Sequence, residues 1–62
     1  MKILKFFEYG HLPPTLQKIS KPICHMANDL DKKIDDSEEK DAGFRKLLEA
    51  KDCLVRAYLD NS

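Results

Sequence analysis

The sequence predicts an all-α protein, an antiparallel helical hairpin with an extended apolar N-terminal arm, assembling into a homo-oligomer. Three observations carry that expectation. Two long segments repeat apolar residues at helical spacing, and only a short polar stretch separates them. The chain has 62 residues, and two helices alone enclose no core, so a partner is expected to complete it.

Residues 1–13 form the expected arm. Its apolar residues Ile3, Leu4, Phe6, Phe7, Tyr9 and Leu12 follow neither a strand nor an α-helical period, leaving a short strand or a turn of helix open. Gly10 and the pair Pro13-Pro14 close it, and a Pro pair before a periodic run marks a helix start. Helix 1 is expected over 14–35, with Leu16, Ile19, Ile23, Met26, Ala27, Leu30 and Ile34 on one face. Pro22 lacks an N–H and clashes with the preceding turn, so it predicts a kink or break there, with Ser20 placed to cap a restart. Asp36 with Glu39 is a possible capping box for helix 2, and Ser37 is a rival cap. Helix 2 is expected over 38–59, on the run Phe44, Leu47, Leu48, Leu54, Val55, Tyr58 and Leu59. The whole chain, 1–62, then reads as a single helical-hairpin domain, with the arm packing on a neighbouring protomer.

Composition narrows the function classes. A hydrophobic share of 42% with a charged share of 35% belongs to a folding chain rather than a disordered one. No apolar run approaches the roughly 18 residues of a membrane helix. The first residues lack a signal peptide's apolar core, so no membrane and a cytoplasmic location are expected. The two cysteines, Cys24 and Cys53, both lie in apolar helical patterns and read as buried free thiols. Neither has a His or Cys at ligand spacing, so no metal site is expected.

The net charge is zero, but the charges are sorted. Residues 28–41 hold seven acids against Lys32, Lys33 and Lys40, while residues 1–21 hold Lys2, Lys5, Lys18 and Lys21 against Glu8. Folding the hairpin about residue 36 pairs positions that sum to about 72. That gathers Lys18, Lys21, Lys51 and Arg56 at the open end, beside the aromatic arm. Cations beside aromatic faces suit a small anion that also carries a flat ring. Each is equally an ordinary solvated side chain. Lys51 is the least ordinary, because heptad steps from Phe44 land on it and then on Tyr58. It reads as a snorkelling lysine, a register device in the seam, or a phosphate contact between protomers. Tyr9 and His11 flank Gly10 and are placed to stack on a base and donate a hydrogen bond, or else to pack on helix 1 and cap a turn. His25 reads as a helix-surface histidine.

Catalysis finds no support in the pattern. No Gly-rich phosphate loop, nucleophile–base pair or metal cluster stands at a recognisable spacing, so neither an enzyme nor a cofactor is expected. A zero net charge without a continuous basic helix face also argues against duplex DNA or RNA.

The strings FFEYGHLPPTLQKISKP and GFRKLLEAKDCLVRAYL resemble small proteins of bacteriophages. These carry F-x-Y-x-H-L-P-P-x-x-Q, then a helix, then R-K-L-L-E-A-K-D-x-x-V-R-A. That set resembles in turn the hairpin domain of phage anti-defence sponges, the anti-CBASS and Thoeris anti-defence proteins. The second likeness rests on Phe7, Tyr9 and His11 in the arm, Ser37, Glu39 and Lys40 at the turn, and Lys46, Leu47, Glu49 and Ala50 in helix 2. The resemblance implies a hairpin that assembles into a hexamer. It implies that cyclic oligonucleotide or cyclic ADP-ribose-type signals are bound between protomers, without cleavage. It further implies that Tyr9 stacks on a base and that a helix-1 lysine, Lys18 or Lys21, meets phosphate. Pro22 and the absence of Trp depart from the sponges. A second reading needs no nucleotide: the hairpin face and apolar arm dock on a host or phage protein, to inhibit or adapt it.

Overall fold

The computed structural model describes residues 2–60, so Met1 of the expected arm and residues 61–62 of the expected domain lie outside the described residues. A 3-10 helix, Lys2–Phe7, precedes α1, Pro14–Lys33, and α2, Glu38–Asp60. Among the described residues there is no strand. The two long helices pack against each other as a hairpin, and the 3-10 helix packs on both.

Pro14 starts α1 because the first helical N–H needs no partner within the helix. The Pro13 carbonyl accepts from the Leu16 and Gln17 amides at 3.0 and 3.1 Å, and the Gln17 side chain donates to the Leu12 carbonyl at 2.8 Å. The helix runs without a break through Pro22, so the expected break is corrected. Pro22 lies on the exposed side of the helix. Ser20 therefore caps no restart. It lies fully buried inside α1, and its Oγ has no hydrogen-bond partner. The helix ends at Lys33, two residues before the expected end, where Ile34 turns extended with Lys32 and Lys33 in the last turn. Of the two rival caps for α2, Ser37 is the one used: its Oγ accepts from the Lys40 amide at 3.0 Å. Glu38, Glu39 and Asp41 place negative charge at the positive end of the helix dipole.

The arm is not extended and does not wait for a neighbour, which corrects the sequence expectation. It coils into the 3-10 helix and lies in a groove of its own hairpin. Phe7 is fully buried there and meets Phe44 edge to face, with ring centroids 6.3 Å apart. Cys24 and Ala27 complete the set of buried apolar residues, and Ile3, Leu4, Tyr9, Ile23, Leu30, Leu47 and Leu48 pack around it. Lys51 pins the arm from the far side, its Nζ donating to the Phe6 carbonyl at 2.8 Å and lying 3.3 Å from Asp52. A carbonyl at the end of a short helix lacks an intrahelical donor, and the ammonium supplies one.

The hairpin turn is closed by a second buried lysine. Lys40 Nζ sits 2.7 Å from the Asp31 carboxylate and 3.1 Å from that of Asp36. It also donates to the Ile34 and Asp31 carbonyls at 2.6 and 3.1 Å. Its hydrogen bond to Asp31 raises the Lys40 pKa above its ordinary value, and the same bond holds the Asp31 carboxyl below the usual carboxylate range.

The hairpin has two unequal faces. The 3-10 helix covers one, packing on both α1 and α2, with Lys51 of α2 donating to the Phe6 carbonyl. At about 100° per residue, Leu16, Ile19, Ile23, Met26, Leu30 and Ile34 turn toward the opposite face. On α2, Gly43, Leu47, Ala50 and Leu54 turn the same way. Met26 and Ile34 are each 44% exposed and Leu54 is 53% exposed, whereas Ile23, Leu30 and Leu47 of the same stripes pack on the core.

Three outcomes test the fold. The Lys40–Asp31 pair contributes fully between its partners' ordinary values, 3.8 for Asp31 and 10.5 for Lys40. Its share of stability is lost as the pH falls through Asp31's depressed value or rises through Lys40's raised one. In thermal melts across pH, Asp31→Asn should lower the neutral midpoint by several degrees and flatten the acid arm, while Asp36→Asn, at a carboxylate 89% exposed, changes little. Ser20→Ala should hold stability constant or raise it by up to about 1 kcal/mol in urea titrations, because it removes an orphan hydroxyl; a loss would show that Oγ has a partner. Lys51→Ala should free the arm, seen as faster chymotryptic cleavage after Phe6 and Phe7 with the helical circular dichroism retained.

Candidate functional site

The best-formed polar and aromatic grouping on the surface joins the arm to α1. After the 3-10 helix the chain turns through Gly10, and the Leu12 amide closes that turn on the Tyr9 carbonyl at 2.9 Å. The turn sets the half-buried Tyr9 ring edge-on against His25, with centroids 5.9 Å apart and planes 67° apart. The Tyr9 hydroxyl and His25 Nε2 are 3.4 Å apart, a long hydrogen bond whose direction depends on the imidazole tautomer. One turn N-terminal to His25, on the same face of α1, stands Lys21, and three residues before it stands Lys18. Both lysines are exposed. Two rings and two cations thus follow one another along one exposed edge of α1.

The six candidate residues do not meet at a single place. Tyr9, Lys21 and Lys18 share this edge. His11 is exposed in the turn beyond it. Lys51 is buried, and its ammonium is committed to the Phe6 carbonyl, so it offers no cation to an open-end pocket. Its heptad position marked an internal anchor, which none of the three readings of it had named. Arg56 lies outward on α2, with its guanidinium donating to Cys53 Sγ at 3.3 Å. Cys53 itself is exposed rather than buried, and Cys24 alone is the sequestered thiol. The arm runs from the hairpin tip toward the open end, so only residues 9–12 approach the open end, and Phe6 and Phe7 lie near mid-hairpin.

His25 was missed as a site residue because its partner is 16 positions away and on no common element. The signal available was spacing: Lys18, Lys21 and His25 fall at i, i+3 and i+7, one face of a helix. Lys40 was missed as a buried group because it sits among seven acids, where a solvated lysine is the ordinary expectation.

Two open depressions lie elsewhere. One, of about 590 Å³, runs between the 3-10 helix and α1 and is lined by Lys2, Leu4, Lys5, Glu8, Cys24 and Asn28. The other, of about 490 Å³, lies near the tip, where Lys2 and Arg45 face Asp36 and Asp41. Near the tip two carboxylates offset two cations, in the other Glu8 faces two lysines, and neither contains a candidate residue. Among the described residues, no three His, Cys, Asp or Glu side chains converge where a metal ion would be held. Among the described residues, no helix is long and apolar enough to cross a membrane. Set against known proteins, the chain matches no family model, no curated protein and no solved structure.

Proposed function

We propose that this protein is a non-catalytic binding module that captures a small anionic ligand bearing a flat ring. The ligand class is the cyclic oligonucleotide or cyclic ADP-ribose-type immune signal that its resemblance to phage sponges implies. On this reading it acts as an anti-defence protein in the host cell, withholding the signal without cleaving it. The observation that carries the proposal is the Tyr9–His25 ring pair with Lys21 and Lys18 in sequence along the same edge of α1. A base stacks on a ring, and a phosphate takes charge-assisted hydrogen bonds from ammonium groups a turn away. The pair is open to solvent on one side, so a neighbouring protomer in a homo-oligomer, a hexamer in the sponges, completes the pocket. Lys51 and Arg56 drop out of the contact set, His25 enters it, and His11 stays at its margin.

A second reading has its own observation. The exposed apolar side chains Met26, Ile34 and Leu54 suit a protein-interaction module that inhibits or adapts a host or phage protein.

A thermal-shift panel of cyclic di- and trinucleotides and cyclic ADP-ribose isomers separates the two. A bound signal at ~100 times its dissociation constant stabilises by about 2.7 kcal/mol, a rise of several degrees in a chain of this size. Tyr9→Ala and Lys21→Ala should each abolish that rise without changing the oligomer, and heating should release the nucleotide intact. A flat panel on folded protein would reject the nucleotide reading. Recovery of a cleaved product would reject sequestration.

A further inference from the structure

We infer that Lys51 is the positioning residue of the Tyr9–His25 site, so that docking of the arm and capture of a ligand are one equilibrium. The inference rests on the ligand reading and assigns the regulation of that site. Loosening the arm takes Tyr9 away from it, and a captured ligand holds the arm down.

The two halves of the site reach it by different routes. His25, Lys21 and Lys18 belong to α1, whose place is set by packing on α2. Tyr9 arrives on the arm, where the main-chain bonds around it are local. The Glu8 amide donates to the Lys5 carbonyl at 3.3 Å, and the Leu12 amide to the Tyr9 carbonyl at 2.9 Å. Among the described residues, two hydrogen bonds tie residues 2–9 to the hairpin. One runs from Lys51 Nζ to the Phe6 carbonyl at 2.8 Å, and the other is the Tyr9–His25 contact at 3.4 Å.

Their strengths decide which holds the other in place. The first is short, charge-assisted and shielded, with Lys51 only 9% exposed. The second is long and exposed, where water replaces it at little cost. On the residue after the pinned carbonyl, Phe7 is fully buried and meets Phe44 edge to face. The peptide group between Phe6 and Phe7 is therefore gripped on both sides, and Tyr9 follows two residues later. When the carbonyl leaves, the Lys51 ammonium is left with Asp52, 3.3 Å away and itself half exposed. A largely buried charge then loses its main-chain acceptor, which favours the docked arm.

The Lys51 ammonium faces Phe6 and not the ligand, so its effect on capture passes through Tyr9. A ligand that stacks on Tyr9 binds the docked form, and its apparent dissociation constant is the intrinsic one divided by the docked fraction. Linkage makes the effect reciprocal, so the same ligand depletes the undocked form. In that form Lys18, Lys21 and His25 remain on α1 and offer phosphate contacts without the tyrosine ring.

The test compares the wild type with Lys51→Met, which keeps an aliphatic stem and removes the ammonium. In the ligand-free protein, Lys51→Met should speed amide exchange of residues 2–9 and abolish the nuclear Overhauser contact between the Tyr9 and His25 rings, with exchange in α1 and α2 unchanged. Persistence of that ring contact in folded Lys51→Met overturns the inference with no ligand involved. Against cyclic di- and trinucleotides and cyclic ADP-ribose isomers, a compound that binds the wild type should bind Lys51→Met roughly tenfold more weakly or worse, as a docked fraction of about a tenth requires. Equal affinity overturns the coupling alone, whereas a wild type that binds none of them rejects the ligand reading and the coupling with it. The reciprocal measurement needs no variant and stands even where Lys51→Met fails to fold. A bound compound should slow amide exchange of residues 2–9 in the wild type by roughly tenfold, and exchange unmoved by a bound compound overturns the inference.

Discussion

The contact between Lys51 Nζ and the Phe6 carbonyl is the one on which the rest of this small fold turns. Two helices joined by four residues, 34–37, make a hairpin but no interior. The interior appears only when the arm lies in the groove and delivers Phe7 against Phe44, Cys24 and Ala27. A six-residue 3-10 helix has poor internal hydrogen bonding and no stability of its own. The ammonium that satisfies the Phe6 carbonyl in its last turn therefore also sets where the arm stops. From that stop the chain turns through Gly10 and presents Tyr9 to His25. A buried structural cation thus positions the aromatic half of the candidate site.

Lys40 performs the same kind of work at the other end. Its ammonium ends on two main-chain oxygens and two carboxylates, so a residue that charge counting assigns to solvent becomes the closure of the turn. Long aliphatic stems let lysine cover apolar surface while the head finds acceptors. In a chain with so few large buried side chains, the two lysines supply closure that a larger protein obtains from its core.

Helical periodicity, the Pro pair and the Ser37 cap made α1 and α2 legible to within two residues at the ends. At Pro22 the sequence left a kink or a break open, and the continuous helix removes the break. The arm misled. Ile3, Phe6 and Tyr9, and again Leu4 and Phe7, step by three, which is the 3-10 repeat and fits neither a period of 2 nor one of 3.6. Of the candidate site, Tyr9, Lys18 and Lys21 were legible from residue type and helix face. The pairing of Tyr9 with His25 and the inward turn of Lys51 were not, since both are contacts between distant segments that no local pattern encodes.

The separation of 45 residues between Phe6 and Lys51 imposes an order on biosynthesis. The arm leaves the ribosome 45 residues ahead of its anchor. Lys40 and its partners lie within nine residues of one another, so the turn closes early, on contacts that cost little loop entropy. Until α2 has emerged past Lys51, Phe6 and Phe7 stand in water on a segment without a groove, and nascent chains that meet on a polysome encounter one another in that state. The adhesive residues of the arm stay outward until the turn of the second helix that carries Lys51 arrives.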